Sequence, residues 1–182
     1  MISRRLFYFA PSALALAGCG GGRRYDAGDY VGGTIPLECA PFARALSGLR
    51  LWGPAADWWD LADGRYQRAT RPEIGAVLVF RRSPRLREGH AAVVSQVISS
   101  REVLVTQANW VRHRVTADQP VIDVSEQGDW SAVRVWWPES GQMGTTAYAA
   151  HGFIRSGLAP SHQDIASATP RAIRIAMAGD LP

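Results

Sequence analysis

Short runs of β-branched and other apolar residues, separated by loops, follow Gly75 and constrain the fold more than any other feature of this sequence. There are five such runs in the chain of 182 residues. Runs of this length bounded by turn residues are typical of an antiparallel sheet. The predicted strands cover residues 76–80, 91–98, 102–107, 121–124 and 133–137.

A tight turn around Ser99 and Ser100 joins the second and third predicted strands. If these two serines form the turn, His90 on one strand faces Asn109 on the other. A turn placed one residue later makes the two side chains diagonal neighbours, which are still within reach of each other. Both registers therefore predict that His90 and Asn109 lie close together.

A helix is predicted before the sheet, and Cys39 lies in its first turn. Apolar residues recur at helical spacing over residues 37–46, and Gly48 ends the pattern. Unpaired backbone N–H groups and the helix dipole favour a thiolate at such a position. Cys39, His90 and Asn109 then follow the order of a nucleophile, a general base and an orienting residue in a thiol hydrolase. A buried structural cysteine is the alternative interpretation of Cys39.

The composition indicates one globular domain and argues against a nucleic-acid partner. Hydrophobic residues make up 47% of the chain and charged residues 20%, close to the averages for soluble globular proteins. The 20 basic residues are all arginine and oppose 16 acidic residues, which gives a net charge of +4. Basic residues cluster only at 81–87, and we interpret this cluster as a solvated loop.

Residues 1–22 resemble an export signal, and residues 23–29 read as a linker. Paired arginines, which also resemble a twin-arginine signal, precede an apolar stretch too short to span a bilayer. A Leu-Ala-Gly-Cys sequence ending at Cys19 resembles a bacterial lipobox, which predicts acylation of Cys19 and a membrane anchor. Ordinary cleavage after the preceding small residues is the alternative. We expect an exported lipoprotein of the periplasm or cell envelope.

Three ordered groups of residues carry a resemblance to a known family. The first is Glu-Cys-Ala-Pro-Phe-Ala-Arg around Cys39, and the second includes Trp58 and Trp59. The third combines 72–80, Gly-His-Ala-Ala-Val-Val at 89–94 and Thr-Gln-Ala-Asn-Trp at 106–110. Their order and spacing resemble the CHAP family, the cysteine- and histidine-dependent amidohydrolases and peptidases that cleave bacterial peptidoglycan.

The resemblance implies a fold and a domain division. It implies an α+β, papain-like (NlpC-type) fold in which N-terminal helices pack on an antiparallel β-sheet. The catalytic domain is expected over residues 30–138. Residues 139–182 lie beyond the resemblance, and their short, irregular apolar runs predict a partly ordered C-terminal tail.

The resemblance also implies roles for individual residues. Cys39 matches the family's nucleophile, His90 its base and Asn109 its orienting residue. Gln107 is a departure, because many members carry a glutamate there, and we assign it a supporting role. The resemblance implies no metal ion and no cofactor. Three further histidines show no metal-ligand spacing: His113, His151 and His162.

The implied function is hydrolysis of an amide bond in peptidoglycan through a cysteine thiolate and an acyl-enzyme. The bond is either the N-acetylmuramoyl-L-alanine amide or a peptide bond, so the enzyme is an amidase or an endopeptidase. A non-catalytic, cell-wall-associated binding lipoprotein is one alternative, which Gln107 supports, and an acyl or peptidyl transferase on the same fold is another. Peptidoglycan is the expected partner, and a protein activator is a further candidate.

Overall fold

The computed structural model describes residues 29–179 and contains three α-helices and eight β-strands in this part of the chain. The helices are α1 (Cys39–Ser47), α2 (Trp58–Leu61) and α3 (His162–Met177), and a 3₁₀ turn (Ala55–Asp57) precedes α2. The first four strands are β1 (Gln67–Ala69), β2 (Val77–Phe80), β3 (His90–Ser99) and β4 (Glu102–Ala108). The last four are β5 (Val115–Asp123), β6 (Ala132–Trp137), β7 (Gln142–Met143) and β8 (Tyr148–Arg155).

The strands form a closed antiparallel β-barrel. Their order is β1–β8–β2–β3–β4–β5–β6–β7, and a second pairing joins β8 to β6. Six strands, β8, β2, β3, β4, β5 and β6, therefore close into a barrel, while β1 and β7 lie outside the ring. The predicted α+β papain-like fold, with N-terminal helices packed on an antiparallel sheet, is wrong, because the described chain is mainly β and its sheet closes on itself.

The closing strand β8 lies in the segment for which the sequence predicts only a partly ordered tail, residues 139–182. Its sequence, Tyr-Ala-Ala-His-Gly-Phe-Ile-Arg, mixes small and polar residues and lacks the β-branched run that marks a strand. In the structure β8 pairs with β1, β2 and β6, and α3 packs on α1. The barrel thus extends past residue 138 to Arg155.

The N-terminal predictions fall mostly on residues that the structure does not describe. The predicted export signal at 1–22, including Cys19, lies outside the described residues, as does all of the linker 23–29 except its last residue. Over residues 29–179, none of the helices has the length and apolar character needed to cross a bilayer.

Two apolar layers hold the barrel and its helices together. Alternate residues of β2 and β3 point into the barrel, where they pack with β4, β5, β6 and β8. The intervening residues point outward and pack under α1 and α3. The inward set includes Leu78, Phe80, Ala92 and Val94. The outward set includes Val77, Val79, Ala91 and Val93.

The helix that carries Cys39 in its first turn and the hairpin between β3 and β4 are present as predicted. Helix α1 begins at Cys39 and ends at Gly48, which adopts a left-handed backbone with φ of 76°. The β3–β4 turn pairs Ser99 with Glu102, so it is centred one residue after the serine pair. Bulges then shift the register. Towards His90 the pairing becomes Val93 with Thr106, which is the register predicted for a turn formed by Ser99 and Ser100.

Gly89 allows the chain to enter β3 at His90. It has a φ of 70°, and a Cβ there would lie 2.6 Å from the Cβ of Ala56 and 2.6 Å from the carbonyl oxygen of Phe80. The Ala56 N–H also donates to the Glu88 carbonyl at 2.9 Å. The 3₁₀ turn is therefore packed directly against the residue before His90.

Gly89→Ala should lower the free energy of unfolding by about 2 to 4 kcal/mol, because it adds a steric clash to an unfavourable positive φ. Gly64→Ala is the matched control, since Gly64 has a φ of 67° and open space around it. It should cost about 1 kcal/mol. Chemical denaturation of both variants measures the difference, and equal losses would contradict the proposed close packing at Gly89.

Candidate active site

The Cys39 thiol lies against the start of strand β3. Glu38 caps α1 in an extended conformation, with φ of −86° and ψ of 156°, and its side chain does not bond the first turn. The backbone N–H of Ala91 lies close enough to the Cys39 sulfur to lower the pKa of the thiol. Ala91 is the residue after His90, so Cys39 lies one residue along β3 from His90, where α1 packs on β3.

The Cys39 thiol is held neutral despite its position at a helix start. Burial raises its pKa most strongly, and the Glu38 carboxylate raises it further. The nearby N–H groups of Ala91, Ala40 and Cys39 itself lower the pKa, but they do not compensate for burial. The structure therefore departs from the thiolate expected at this position. The side chain keeps partial access to solvent.

The His90 imidazole is buried and neutral. Burial lowers its pKa from 6.5 to about 4, although the hydrogen bond to Gln107 and the Glu38 charge act in the opposite direction. Its ring packs edge-on against Phe80, with centroids 5.4 Å apart, and against Trp110, with centroids 5.1 Å apart. Near pH 7 the imidazole is thus free to accept a proton.

Gln107 makes the contact with His90 that the sequence analysis expected of Asn109. The distance between His90 Nε2 and Gln107 Oε1 is 2.8 Å. Gln107 is fully buried, and its amide Nε2 donates to Gln119 Oε1 at 2.8 Å. The residue predicted to have a supporting role therefore bonds the imidazole directly.

Asn109 lies just beyond the end of β4 and turns towards α1. Its backbone is left-handed, with φ of 61°. Its Nδ2 donates to Glu38 Oε2 at 2.9 Å, and its Oδ1 accepts the N–H of His113 at 2.9 Å. Asn109 thus ties the strand end to the residue before Cys39, and its described side-chain hydrogen bonds do not involve His90.

The structure adds three residues to the site whose roles were not predicted from the sequence: Glu38, Thr116 and Gln119. The hydroxyl of Thr116 donates to Gln119 Oε1, and Gln119 Nε2 donates to the carbonyl of Trp136 at 2.6 Å. Thr116 and Gln119 lie in the polar first half of β5, ahead of the apolar run that marked the predicted strand at 121–124. Gln119 lies two residues before buried Val121 and therefore points to the same face of β5. Extending the predicted strand by two residues towards the N-terminus would have identified Gln119 as a buried residue.

A groove runs from Asn109 along the outer ends of β6 and β8. A cavity of about 340 Å³ is lined by aromatic side chains, hydroxyl-bearing residues and Arg85. Ligand clefts commonly measure roughly 300–1,000 Å³. A second cavity shares Arg85 and reaches Asn109. The aromatic residues that line both are Trp110, Trp137 and Tyr148.

The remaining histidines have other contacts. The His151 ring stacks on Trp59, with centroids 5.5 Å apart, and His162 Nε2 lies 3.0 Å from Asp118 Oδ2. Within residues 29–179, no group of three or more histidine, cysteine, aspartate or glutamate side chains is placed to hold a metal ion.

Comparison with known proteins supports the resemblance found in the sequence. The family model described as the CHAP domain matches residues 28–109. This range contains Cys39, His90, Gln107 and Asn109, and it ends before β5 begins at Val115. No curated protein matches the chain. The resemblance to the CHAP family is confirmed.

Burial of neutral His90 should make folding sensitive to acid. The imidazole takes up a proton near pH 6.5 in the unfolded chain and near pH 4 in the folded one. The unfolded state therefore binds more protons between these values, so stability is complete above pH 6.5 and is lost as the pH falls towards 4. Lowering the pH from 7.5 to 5 should cost about 2 kcal/mol.

Chemical denaturation at the two pH values measures this loss. His90→Gln, which has no imidazole, is the control for all other titrating groups, and it should lose about 2 kcal/mol less than the unmodified protein. An identical pH dependence in both proteins would show that His90 is not buried in its neutral form.

Proposed function

Because residues 28–109 match the CHAP domain model, a domain typical of hydrolases that act on peptidoglycan, we propose that this chain cleaves an amide bond of peptidoglycan with Cys39 as nucleophile. The observation that carries the proposal is the position of the Cys39 sulfur, which lies against the start of β3 and close enough to the Ala91 N–H for that group to lower the pKa of the thiol. This position puts the thiol one residue along the strand from His90, whose imidazole is neutral.

His90 acts as the general base in the first step. Its Nε2 bonds Gln107, which leaves Nδ1, the ring nitrogen nearer its own backbone, for the thiol. As the Cys39 sulfur attacks the amide carbonyl carbon, the thiol proton passes to Nδ1. The pair is uncharged before attack, so the charge separation develops only with substrate in place.

The backbone at the start of α1 stabilises the negative oxygen that forms on the substrate. The first-turn N–H groups of Cys39 and Ala40 lie close enough to the sulfur to affect its pKa. Pro41 follows them and has no N–H to offer. Cys39 and Ala40 thus carry the N–H groups of this turn, and we assign the N–H of Cys39 to the oxyanion.

Proton return by His90 completes the reaction. The imidazolium donates its proton to the nitrogen of the leaving amine as the C–N bond breaks, which leaves a thioester on Cys39. His90 then takes a proton from water, the resulting hydroxide attacks the thioester carbonyl, and the proton passes to the released thiolate. If an added amine, and not water, attacked the thioester, the product would be a new amide, and the protein would be a transferase.

The groove beside Asn109 is the proposed binding site for the substrate. Asn109 lines this groove and bonds Glu38, the residue before Cys39, which places the groove close to the nucleophile in the proposed site. Aromatic walls pack against sugar rings and apolar side chains. Arg85 is exposed and forms no salt bridge with any other described residue. Its guanidinium is suited to bind a carboxylate of the peptidoglycan stem peptide.

We propose that the chain acts in the cell envelope, where peptidoglycan lies. The support is the leader-like pattern of residues 1–22 with its lipobox-like end at Cys19.

Cys39→Ala should abolish release of fragments from purified peptidoglycan, with a loss of at least about 1,000-fold, because no other group supplies the nucleophile. Mass spectrometry of the released material measures the loss. Fragment masses also separate an amidase from an endopeptidase. Cys19→Ser, which changes the chain's other cysteine, is the matched control and should retain full activity.

Two results would contradict the proposed hydrolysis. Equal release by Cys39→Ala would exclude the thiol as nucleophile. No release by either protein, with both sedimenting with the cell wall, would favour the alternative of a non-catalytic binding protein.

Arg85→Ala should weaken substrate binding with little effect on the chemical step. Loss of a charge-assisted hydrogen bond predicts a KM about tenfold higher on soluble peptidoglycan fragments, and a kcat within about threefold. Arg87→Ala is the control from the same loop, because Arg87 is exposed and lines neither cavity. Equal effects of the two substitutions would remove Arg85 from the binding site.

A further inference from the structure

A buried chain of amide groups connects His90 to the far side of the barrel. His90 Nε2 lies 2.8 Å from Gln107 Oε1, Gln107 Nε2 lies 2.8 Å from Gln119 Oε1, and Gln119 Nε2 lies 2.6 Å from the Trp136 carbonyl oxygen. Thr116 adds a hydroxyl hydrogen bond to Gln119 Oε1. The side chains of Gln107 and Gln119 are fully buried. Water therefore does not compete for these hydrogen bonds.

The Trp136 carbonyl sets the direction of every hydrogen bond in this chain. A backbone carbonyl only accepts, so the Gln119 amide must turn its Nε2 towards Trp136 and its Oε1 towards Gln107. Gln107 must then donate with Nε2 and present Oε1 to the imidazole. An amide oxygen only accepts, and His90 Nε2 must therefore carry the hydrogen.

We propose that Gln119 is a positioning residue that holds His90 in the Nε2–H tautomer through Gln107. In this tautomer Nδ1 has a free lone pair and can take the Cys39 proton. If the Gln107 amide were reversed, its NH₂ group would face Nε2 and favour a hydrogen on Nδ1. Such an imidazole cannot accept the thiol proton at Nδ1.

Burial makes the direction of the chain stable. Reversing the Gln107 amide would place its oxygen against Gln119 Oε1 and leave a buried donor and acceptor mismatched. The Thr116 hydroxyl already donates to the same Gln119 oxygen and reinforces its orientation. Gln119 thus specifies the tautomer from one residue away, without contact with the imidazole.

This role depends on the closed barrel. Gln119 lies in β5 and Trp136 in β6, both outside the residues matched by the CHAP family model. β5 pairs with β6 through Val121 and Val135, the residue before Trp136, which keeps the carbonyl beside Gln119. The strands added after Asn109 therefore take part in orienting the base.

The inference rests on the proposed function of His90, but it is tested without turnover. In the full chain labelled with ¹⁵N, the imidazole nitrogen chemical shifts of His90 report which nitrogen carries the hydrogen at pH 7. The unmodified protein should show an unprotonated Nδ1 and a protonated Nε2. A hydrogen on Nδ1 would overturn the proposal, whatever the activity.

Gln119→Met removes both amide groups at similar side-chain length. It should shift a measurable part of His90 to the Nδ1–H tautomer and lower kcat about threefold to tenfold, with KM within about twofold, because only the competent tautomer reacts. Retention of the Nε2–H tautomer in the folded variant would overturn the proposal. Activity unaffected by Cys39→Ala would instead refute the proposed function and leave the tautomer result standing.

Two further variants separate hydrogen-bond direction from packing. Thr116→Val removes the hydroxyl but leaves the bond between Gln107 and Gln119, so the tautomer should stay unchanged. Gln119→Glu, kept protonated by burial, still donates to Trp136 and accepts from Gln107, and it should keep the Nε2–H tautomer even where Gln119→Met does not fold. A tautomer shift in either variant would overturn the role assigned to Gln119.

Discussion

The hydrogen bond between His90 Nε2 and Gln107 Oε1 is the interaction on which the site depends. The imidazole is enclosed by Phe80 and Trp110, and a buried polar group without a partner costs about 1–3 kcal/mol. Gln107 supplies the hydrogen-bond partner that the buried imidazole needs, and it adds no charge. A carboxylate at the same position would favour the imidazolium, whereas the neutral amide leaves burial dominant and the pKa of His90 at about 4. Burial therefore sets the low basicity of His90, and its neutral partner does not reverse the effect.

The hydrogen bonding that orients His90 extends, through closure of the barrel, beyond the residues matched by the CHAP family model. The matched residues 28–109 supply the thiol, the imidazole and its amide partner, while β5 and β6 supply Gln119 and the Trp136 carbonyl. Strand β8 joins β2 to β6 and completes the ring that holds both halves. The groove next to the site also combines both parts, since Trp110 lies close to the matched region and Trp137 lies well beyond it.

Local features of the site were predictable from the sequence, and long-range ones were not. Helical spacing and Gly48 located a helix with Cys39 in its first turn, and the hairpin placed the strand of His90 beside that of Gln107 and Asn109. The papain-like fold was wrong because closure depends on β8, whose small and polar residues show no strand pattern. The bulges between β3 and β4 and the left-handed backbone of Asn109 determine that Gln107, and not Asn109, bonds the imidazole. The spacing of residues in the sequence predicts neither feature.

The central claim is that Cys39 and His90 are both neutral until substrate is attacked. The rate of alkylation of Cys39 by iodoacetamide, followed from pH 4 to 10 in a chain carrying Cys19→Ser, tests it most directly, because only the thiolate reacts. The account predicts a single rise with a midpoint above the ordinary cysteine pKa of about 8.5, since burial and Glu38 raise the pKa of the thiol. A high, constant rate from about pH 5 to 8 would reveal a preformed thiolate–imidazolium pair and contradict it.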